Sequence, residues 1–240
     1  MCWSEGASVA MVGLGAVATV VTARRGDHKA IPATLAFFTV MEALQAAGYL
    51  FIDQCEIAPN KSVTFLSYLH IALQPLFINA FAMALVAPAV SRRMQQFVYG
   101  AAGLAFVVMM VRLVPFEFAG ACQPGDTLCG DQWCTISGTW HLGWTVPLND
   151  MWTGLFGERF GEIVKFPSYL LAVFVLPLIY GAWRLVLFHA AFGPILASFL
   201  TDSPNEMPAI WCLFSVGLVL IGISPLIRRS VAPPRGLNPA

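Results

Sequence analysis

Val63-Thr-Phe-Leu-Ser-Tyr-Leu-His70-Ile-Ala-Leu-Gln74-Pro75-Leu-Phe-Ile-Asn79-Ala-Phe-Ala-Met-Ala-Leu-Val-Ala87 runs for 25 residues without one Asp, Glu, Lys or Arg. A helix rises about 1.5 Å per residue and the hydrocarbon core of a bilayer is about 30 Å thick, so roughly 20 mostly apolar residues make a crossing. This stretch is long enough. Working outward, 7–23, 31–52 and 94–114 meet the same test. The whole chain agrees with them: 58% of its residues are hydrophobic, 11% are charged, and its mean hydropathy is +0.73. Soluble domains carry about a quarter charged residues. The expected class is therefore an all-α, polytopic integral membrane bundle with the lipid bilayer as its main partner. Nothing points to nucleic acid.

Beyond a long polar connection, 166–201 is too long for one crossing, and the break is expected at Gly181-Ala182-Trp183-Arg184, giving spans 166–182 and 184–201. The last span is 209–227. Lys and Arg gather on the cytoplasmic side of membranes. Seven spans with the N-terminus out and the C-terminus in put Arg24, Arg25, Lys29, Arg92, Arg93, Arg184, Arg228, Arg229 and Arg235 inside, nine of thirteen cations. Eleven of the thirteen acidic residues then fall outside. Keeping 166–188 as one span with 190–200 re-entrant leaves Arg228 and Arg229 outside, against the pattern. No cleavable signal precedes the first span, and the setting expected is an inner (plasma) membrane of bacterial type.

The cysteines give an independent indication. Cys2, Cys55, Cys122, Cys129 and Cys134 all fall in outer segments on this topology, and Cys212 lies at the outer end of the last span. Thiols on an oxidising side form disulfides, and Cys55, Cys122, Cys129 and Cys134 are the candidates, with no pairing chosen by spacing. The segment 115–165 is too long for a structureless loop, so it is expected to fold or dock. Trp140, Trp144 and Trp152 within it suit either an interfacial belt or a lid over an outward-facing cavity with His141 pointing in.

Polar groups at bilayer depth usually face a partner or a cavity. Glu42, Gln45 and Tyr49 share one face of the second span, and Ser67, His70 and Gln74 share one face of the third. Counted from Ile52 and Val63, Glu42 lies level with Gln74 and Gln45 level with His70, so the two stripes are expected to meet as one cluster opening outward. Asn79 points away from it unless Pro75 rotates the lower half of the helix. His189 reads as an ordinary histidine near the cytoplasmic end of the sixth span.

Met1-Cys2-Trp3-Ser4, Met41-Glu42-Ala-Leu-Gln45-Ala, the run Tyr68 to Asn79, Phe118-Ala-Gly-Ala-Cys122, Gly138-Thr-Trp140-His141 and Asn205-Glu206-Met-Pro208-Ala-Ile-Trp211-Cys212-Leu-Phe-Ser215 form a set. Together they resemble a family of uncharacterised multi-pass membrane proteins whose members begin Met-Cys-Trp-Ser. The resemblance covers nearly the whole chain and implies the fold class, with no activity attached. The residues matching the family's motifs gather in the outer half, as a site would.

Two uses of such a site are expected. In the first, a metal-dependent membrane enzyme, Glu42, His70 and His141 act as acid–base groups, or Glu42 and His70 with Cys2 or His141 hold a transition metal ion such as zinc, copper or iron. No fixed metal-ligand spacing supports this. In the second, a sensor or transporter binds a small molecule or lipid through the same pocket, with Gln45, Gln74, Asn79 and Trp140 as contacts. A third reading makes the cluster a hydrogen-bonded lock between helices. Retinal chemistry is disfavoured because Lys29, Lys61 and Lys165 all lie outside the spans.

Overall fold

The computed structural model describes residues 4–87, 90–158, 166–212 and 214–231. Four long helices come first, α1 (Glu5–Arg24), α2 (Ala30–Leu50), α3 (Ala58–Val86) and α4 (Arg92–Val111), each packed on the next. Local chemistry sets their starts. Ser4 and Ser91 accept the backbone N–H groups of Ala7 and Met94, satisfying a donor that the first helical turn leaves open. Pro59 sits in the first turn of α3, where a missing N–H costs nothing.

The second half is more broken. α5 (Met151–Phe156) is a short helix, and α6 (Pro167–Ile179) ends before Gly181, whose φ of +88° suits glycine and makes the turn into α7 (Trp183–Leu200). Both α6 and α7 contain a π-turn, at Leu171–Val175 and Ala191–Ile195. α7 also kinks at Gly193, just before Pro194. α8 (Met207–Trp211) and α9 (Phe214–Ile223) follow, and α10 (Pro225–Val231) turns away by 111°.

Among the described residues, α1, α2, α3, α4 and α7 are each long and apolar enough to cross a membrane, and the bent run Met207–Ile223 with Pro225–Val231 counts as a sixth if it is one broken span and not a re-entrant loop. α6 falls short, so the stretch expected to cross at 166–182 is a shorter apolar helix. The outward faces of these helices carry large apolar side chains, among them Val9, Leu14, Val17, Leu104 and Phe199.

The chain is mostly helical, as expected, with a small sheet added. The described part of segment 115–165, residues 115–158, folds around an antiparallel hairpin, β1 (Cys134–Ser137) with β2 (Leu142–Thr145), in which Cys134 faces Thr145 and Ser137 faces Leu142. All four candidate cysteines pair, Cys55 with Cys134 and Cys122 with Cys129, while Cys212 is buried and free. The first turns of α3 are clothed by this hairpin: Asn60 exchanges hydrogen bonds with the Thr135 backbone, and the Thr64 and Thr135 hydroxyls are 2.8 Å apart. Asn149 ties the segment to α4, donating to the carbonyls of Val111 and Val114, while Arg112 donates back to the Asn149 carbonyl.

The opposite end is held by charge. Asp27, after α1, accepts from Arg25 at 2.7 Å and from Arg228 at 2.9 Å, and both arginines also cap α9 carbonyls at Gly222. The Arg228 hydrogen bond, with help from Arg25, holds the Asp27 carboxyl below the usual range despite partial burial. Arg24 and Arg229 flank this cluster in sequence, whereas Arg159, Lys165 and Arg235 lie outside the described residues.

Candidate functional site

Gln45, Trp140, His141, Asn205 and Glu206 of the polar motifs serve the docking of the hairpin. Its turn, Gly138 to His141, wraps the Glu206 carboxylate, which accepts the backbone N–H groups of Thr139 at 3.1 Å, Trp140 at 2.5 Å and His141, and the Thr201 hydroxyl at 2.6 Å. A Cβ on Gly138 would sit 2.5 Å from the Glu206 carboxyl carbon, so a side chain there would push the turn off its anion. Asn205 completes the clasp: its carbonyl accepts Trp144 N–H and its amide donates to the Cys129 carbonyl. Trp144 is buried in the core and not interfacial, while Trp140 and Trp152 are half-buried.

His141 does point inward, as a lid residue should, but onto α2. Its Nδ1 accepts the Leu142 N–H at 2.7 Å and lies 2.8 Å from the Tyr49 hydroxyl. A neutral imidazole with an accepting Nδ1 carries its proton on Nε2, which donates to Gln45 Oε1 at 3.1 Å. Burial pushes this imidazole down to about 4, against the opposing pull of the Glu206 charge. His141 is therefore a neutral clamp between the hairpin and α2.

The expected Glu42–His70 unit does not form as a bonded pair. Glu42 Oε1 accepts from the Ser215 hydroxyl of α9 at 2.8 Å, whereas His70 Nε2 lies 2.8 Å from the Phe37 carbonyl and its ring stacks on Phe37 at 3.7 Å. The cause is register. Depth was counted from Val63, but α3 starts at Ala58 because its first turns are embedded in the hairpin, so His70 lies about 7 Å deeper than expected. It is level with Phe37, one to two turns below Glu42.

The remaining stripe residues turn to other helices. Gln74 Oε1 accepts from the Tyr169 hydroxyl of α6 at 2.5 Å. Asn79 donates to the Pro75 and Ala172 carbonyls and accepts from the Tyr180 hydroxyl, an interhelical lock on the far side of α3. Glu42 Oε2, Gln45 Nε2 and His70 Nδ1 are buried without hydrogen-bond partners among the described residues. Among the described residues no three His, Cys, Asp or Glu side chains converge as metal donors. Cys2, the proposed third ligand, lies outside the described residues.

What the broken second half builds is a cavity of about 280 Å³ between α3, α6, α7 and α8–α9, with Thr127 and Leu128 of the hairpin segment also lining it. Its walls include the rings of Phe38, Phe166, Trp211 and Phe214, and its polar side chains are Gln74, Thr127, Tyr169, His189 and Cys212. Among the described residues no Asp, Glu, Lys or Arg lines it. Irregular turns of this π type recur at functional sites, and here they follow Tyr169 and His189 directly. Cys212 connects the cavity to the Glu42 region, with the Gln74 and Gln45 side chains beside its sulfur.

His189 corrects the expectation of an ordinary interfacial histidine. It is buried, stacked on Phe214 at 4.0 Å, and its Nε2 accepts the Trp211 indole N–H at 2.8 Å. Gly193 permits this, since a Cβ there would come within 2.4 Å of Trp211 Nε1. Sequence reading missed His189, Trp211, Tyr169 and Ser215 as site residues. The signal available was Gly193-Pro194 inside an apolar helix, which announces a break that must face protein or a cavity.

Residues 6–232 match the model of a family of unknown function, DUF5765. No curated protein and no solved structure matches the chain.

Proposed function

We propose, for a chain that belongs to DUF5765, a family of unknown function, that it is a seven-pass membrane protein binding a neutral, apolar small molecule in the cavity beneath its disulfide-stapled hairpin. Several contacts support seven passes with the hairpin outside. The C-terminal ends of α2, α4 and α7 and the N-terminal end of α3 all bond to the hairpin segment or its Glu206 clasp. The ends of α1 and α9 meet at the opposite pole, where Arg184 in the first turn of α7 also bonds to the Ser230 carbonyl. Alternation between the poles lets α6 complete the count. Arginines at one pole and disulfides at the other match cytoplasmic and oxidising faces. Reporter fusions at the C-terminus and after Asp202 should report opposite sides, and the same side for both would restore a six-pass chain.

The binding role rests on the cavity: ringed walls, a few placed polar groups and no charge fit a preformed small-molecule site. An enzyme using Glu42, His70 and His141 would need them around one substrate, and each instead has its own partner. Sensor and transporter share the binding step. 2,3-Dimethylnaphthalene should bind saturably to purified protein in lipid nanodiscs, read by thermal shift and tryptophan quenching. Ile78→Trp, which fills the cavity, should remove the binding while the protein still melts cooperatively. Unchanged binding in that variant, or none in the unaltered protein, would overturn the reading.

A further inference from the structure

We infer that the cavity selects ligands carrying a carbonyl-type oxygen, the class of neutral, flat quinones and aromatic ketones, because its two nitrogen-bearing polar groups, on His189 and Gln74, are held as donors. This deepens the binding role proposed above and rests on it. The first donor comes from His189. An indole nitrogen can only donate, so the 2.8 Å contact from Trp211 Nε1 makes His189 Nε2 the acceptor. Neutral imidazole then carries its proton on Nδ1, which makes no hydrogen bond among the described residues. The second donor comes from Gln74. Its Oε1 is taken by the Tyr169 hydroxyl at 2.5 Å, so what remains of the amide is its NH₂. Tyr169 gives its hydrogen to that bond, so its oxygen, like the Thr127 hydroxyl, can still accept, and the nitrogens of His189 and Gln74 are the groups fixed as donors. Cys212 adds no strong acceptor, since a thiol sulfur accepts weakly and its own hydrogen goes to the Pro208 carbonyl at 3.3 Å.

The walls set the rest of the ligand. Phe38, Phe166, Trp211 and Phe214 favour a flat π surface, and the absence of charge among the described lining residues favours a neutral molecule. A ligand that must donate would meet the His189 and Gln74 protons head-on, so a hydroxyl-only analogue gains less than a carbonyl. Specificity of this kind comes from leaving buried donors unpaired with the wrong ligand.

The test compares 2,3-dimethyl-1,4-naphthoquinone with 2,3-dimethylnaphthalene on the full chain in nanodiscs, by calorimetric titration. The quinone should bind roughly tenfold tighter, the worth of one to two net hydrogen bonds. His189→Phe should bring the ratio close to one while the hydrocarbon still binds. Trp211→Phe should lower it in part, by freeing His189 to place its proton on either nitrogen, and Gln74→Leu should lower it without touching His189. The Gln74 variant and the unaltered protein decide the matter if His189→Phe fails to fold. Equal binding of the two ligands, or a preference that survives both His189→Phe and Gln74→Leu, would overturn donor selection and leave the cavity reading standing. If neither ligand binds, the cavity reading falls and takes this inference with it.

Discussion

The hairpin end and the cavity are built from the same kinds of residue and use them in opposite ways. At the hairpin end, Glu206, Asn60 and Asn149 spend their hydrogen-bonding capacity on backbone groups of another segment, His141 spends its own on the Gln45 and Tyr49 side chains and the Leu142 N–H, and two disulfides close the loops. Around the cavity, helices are interrupted by π-turns and a kink, and His189 and Gln74 each spend one polar atom on a neighbour and keep another in reserve. A dense cluster of polar motif residues thus marks an anchor in one place and a site in another. What separates them is whether the donors and acceptors are used up. Substitutions at the hairpin end should cost stability, whereas those around the cavity should cost binding.

The largest loss is expected at Glu206. Glu206→Ala strands three backbone N–H groups of a partly buried turn and a buried threonine hydroxyl, each worth about 1–3 kcal/mol where burial leaves it unmade. A total of roughly 5 kcal/mol should lower the melting temperature in detergent by well over ten degrees, with affinity for naphthalene ligands falling only as folded protein is lost. A variant that melts normally would mean that the hairpin does not depend on its clasp.

Next come the disulfides, which differ in the loops they close. Cys55–Cys134 spans 79 residues and Cys122–Cys129 only seven. Loop entropy alone assigns about 4.5 kcal/mol to the first and about 2.5 kcal/mol to the second. Replacing each pair with serine should therefore produce unequal drops in melting temperature, the larger for the Cys55–Cys134 pair. Equal drops would place the stabilisation in local packing instead.

Much of this division was legible in the sequence. Apolar length found α1 to α4 and α7, and the gathering of cysteines on one side of the inferred topology marked all four that pair. The pole where Arg25 and Arg228 meet also follows from the order of charges. The hairpin was not visible because Cys134–Ser137 and Leu142–Thr145 are each four residues, too short for a period of two to show. Register failed for a related reason. Hydropathy starts α3 where its residues become apolar, but the polar first turns from Ala58 are helical too, held by the hairpin that composition could not reveal. His189 was misplaced because a kink at Gly193 and the approach of Trp211 are tertiary facts.

His141 gives the comparison a dependence on pH. In the folded chain its imidazole titrates at about 4, burial being the main cause, against 6.5 in the unfolded chain. Between those values the unfolded state binds the proton and the folded state does not. The stability that His141 contributes is therefore complete above pH 6.5, falls as pH drops, and levels off near pH 4, a loss of about 3 kcal/mol at most. Melting curves across that window should show a steep slope that His141→Asn reduces. An unchanged slope would mean that the ring is not held neutral between Gln45 and Tyr49.

The smallest effect, and the sharpest test of where anchor gives way to cavity, is the coupling between Glu42 and His70. Counting depth from the apolar edges makes them one unit, and partners in one network depart from additivity by roughly 0.5–3 kcal/mol. The structure gives them separate partners, Ser215 for the carboxyl and the Phe37 carbonyl for the ring, with His70 about 7 Å deeper than that count implied. A cycle of Glu42→Gln, His70→Ala and the double variant, read by melting in detergent, should therefore add to within about 0.5 kcal/mol. The control is Glu42 with Ser215, whose 2.8 Å bond joins α2 to α9. Glu42→Leu, Ser215→Ala and their double variant should couple by about 1 kcal/mol, because removing either partner leaves the other buried. Coupling for Glu42 with His70 as large as for Glu42 with Ser215 would return both residues to a single site. Coupling in the Ser215 pair alone leaves Glu42 a bond between helices, with its second oxygen open beside Gln45 and Cys212.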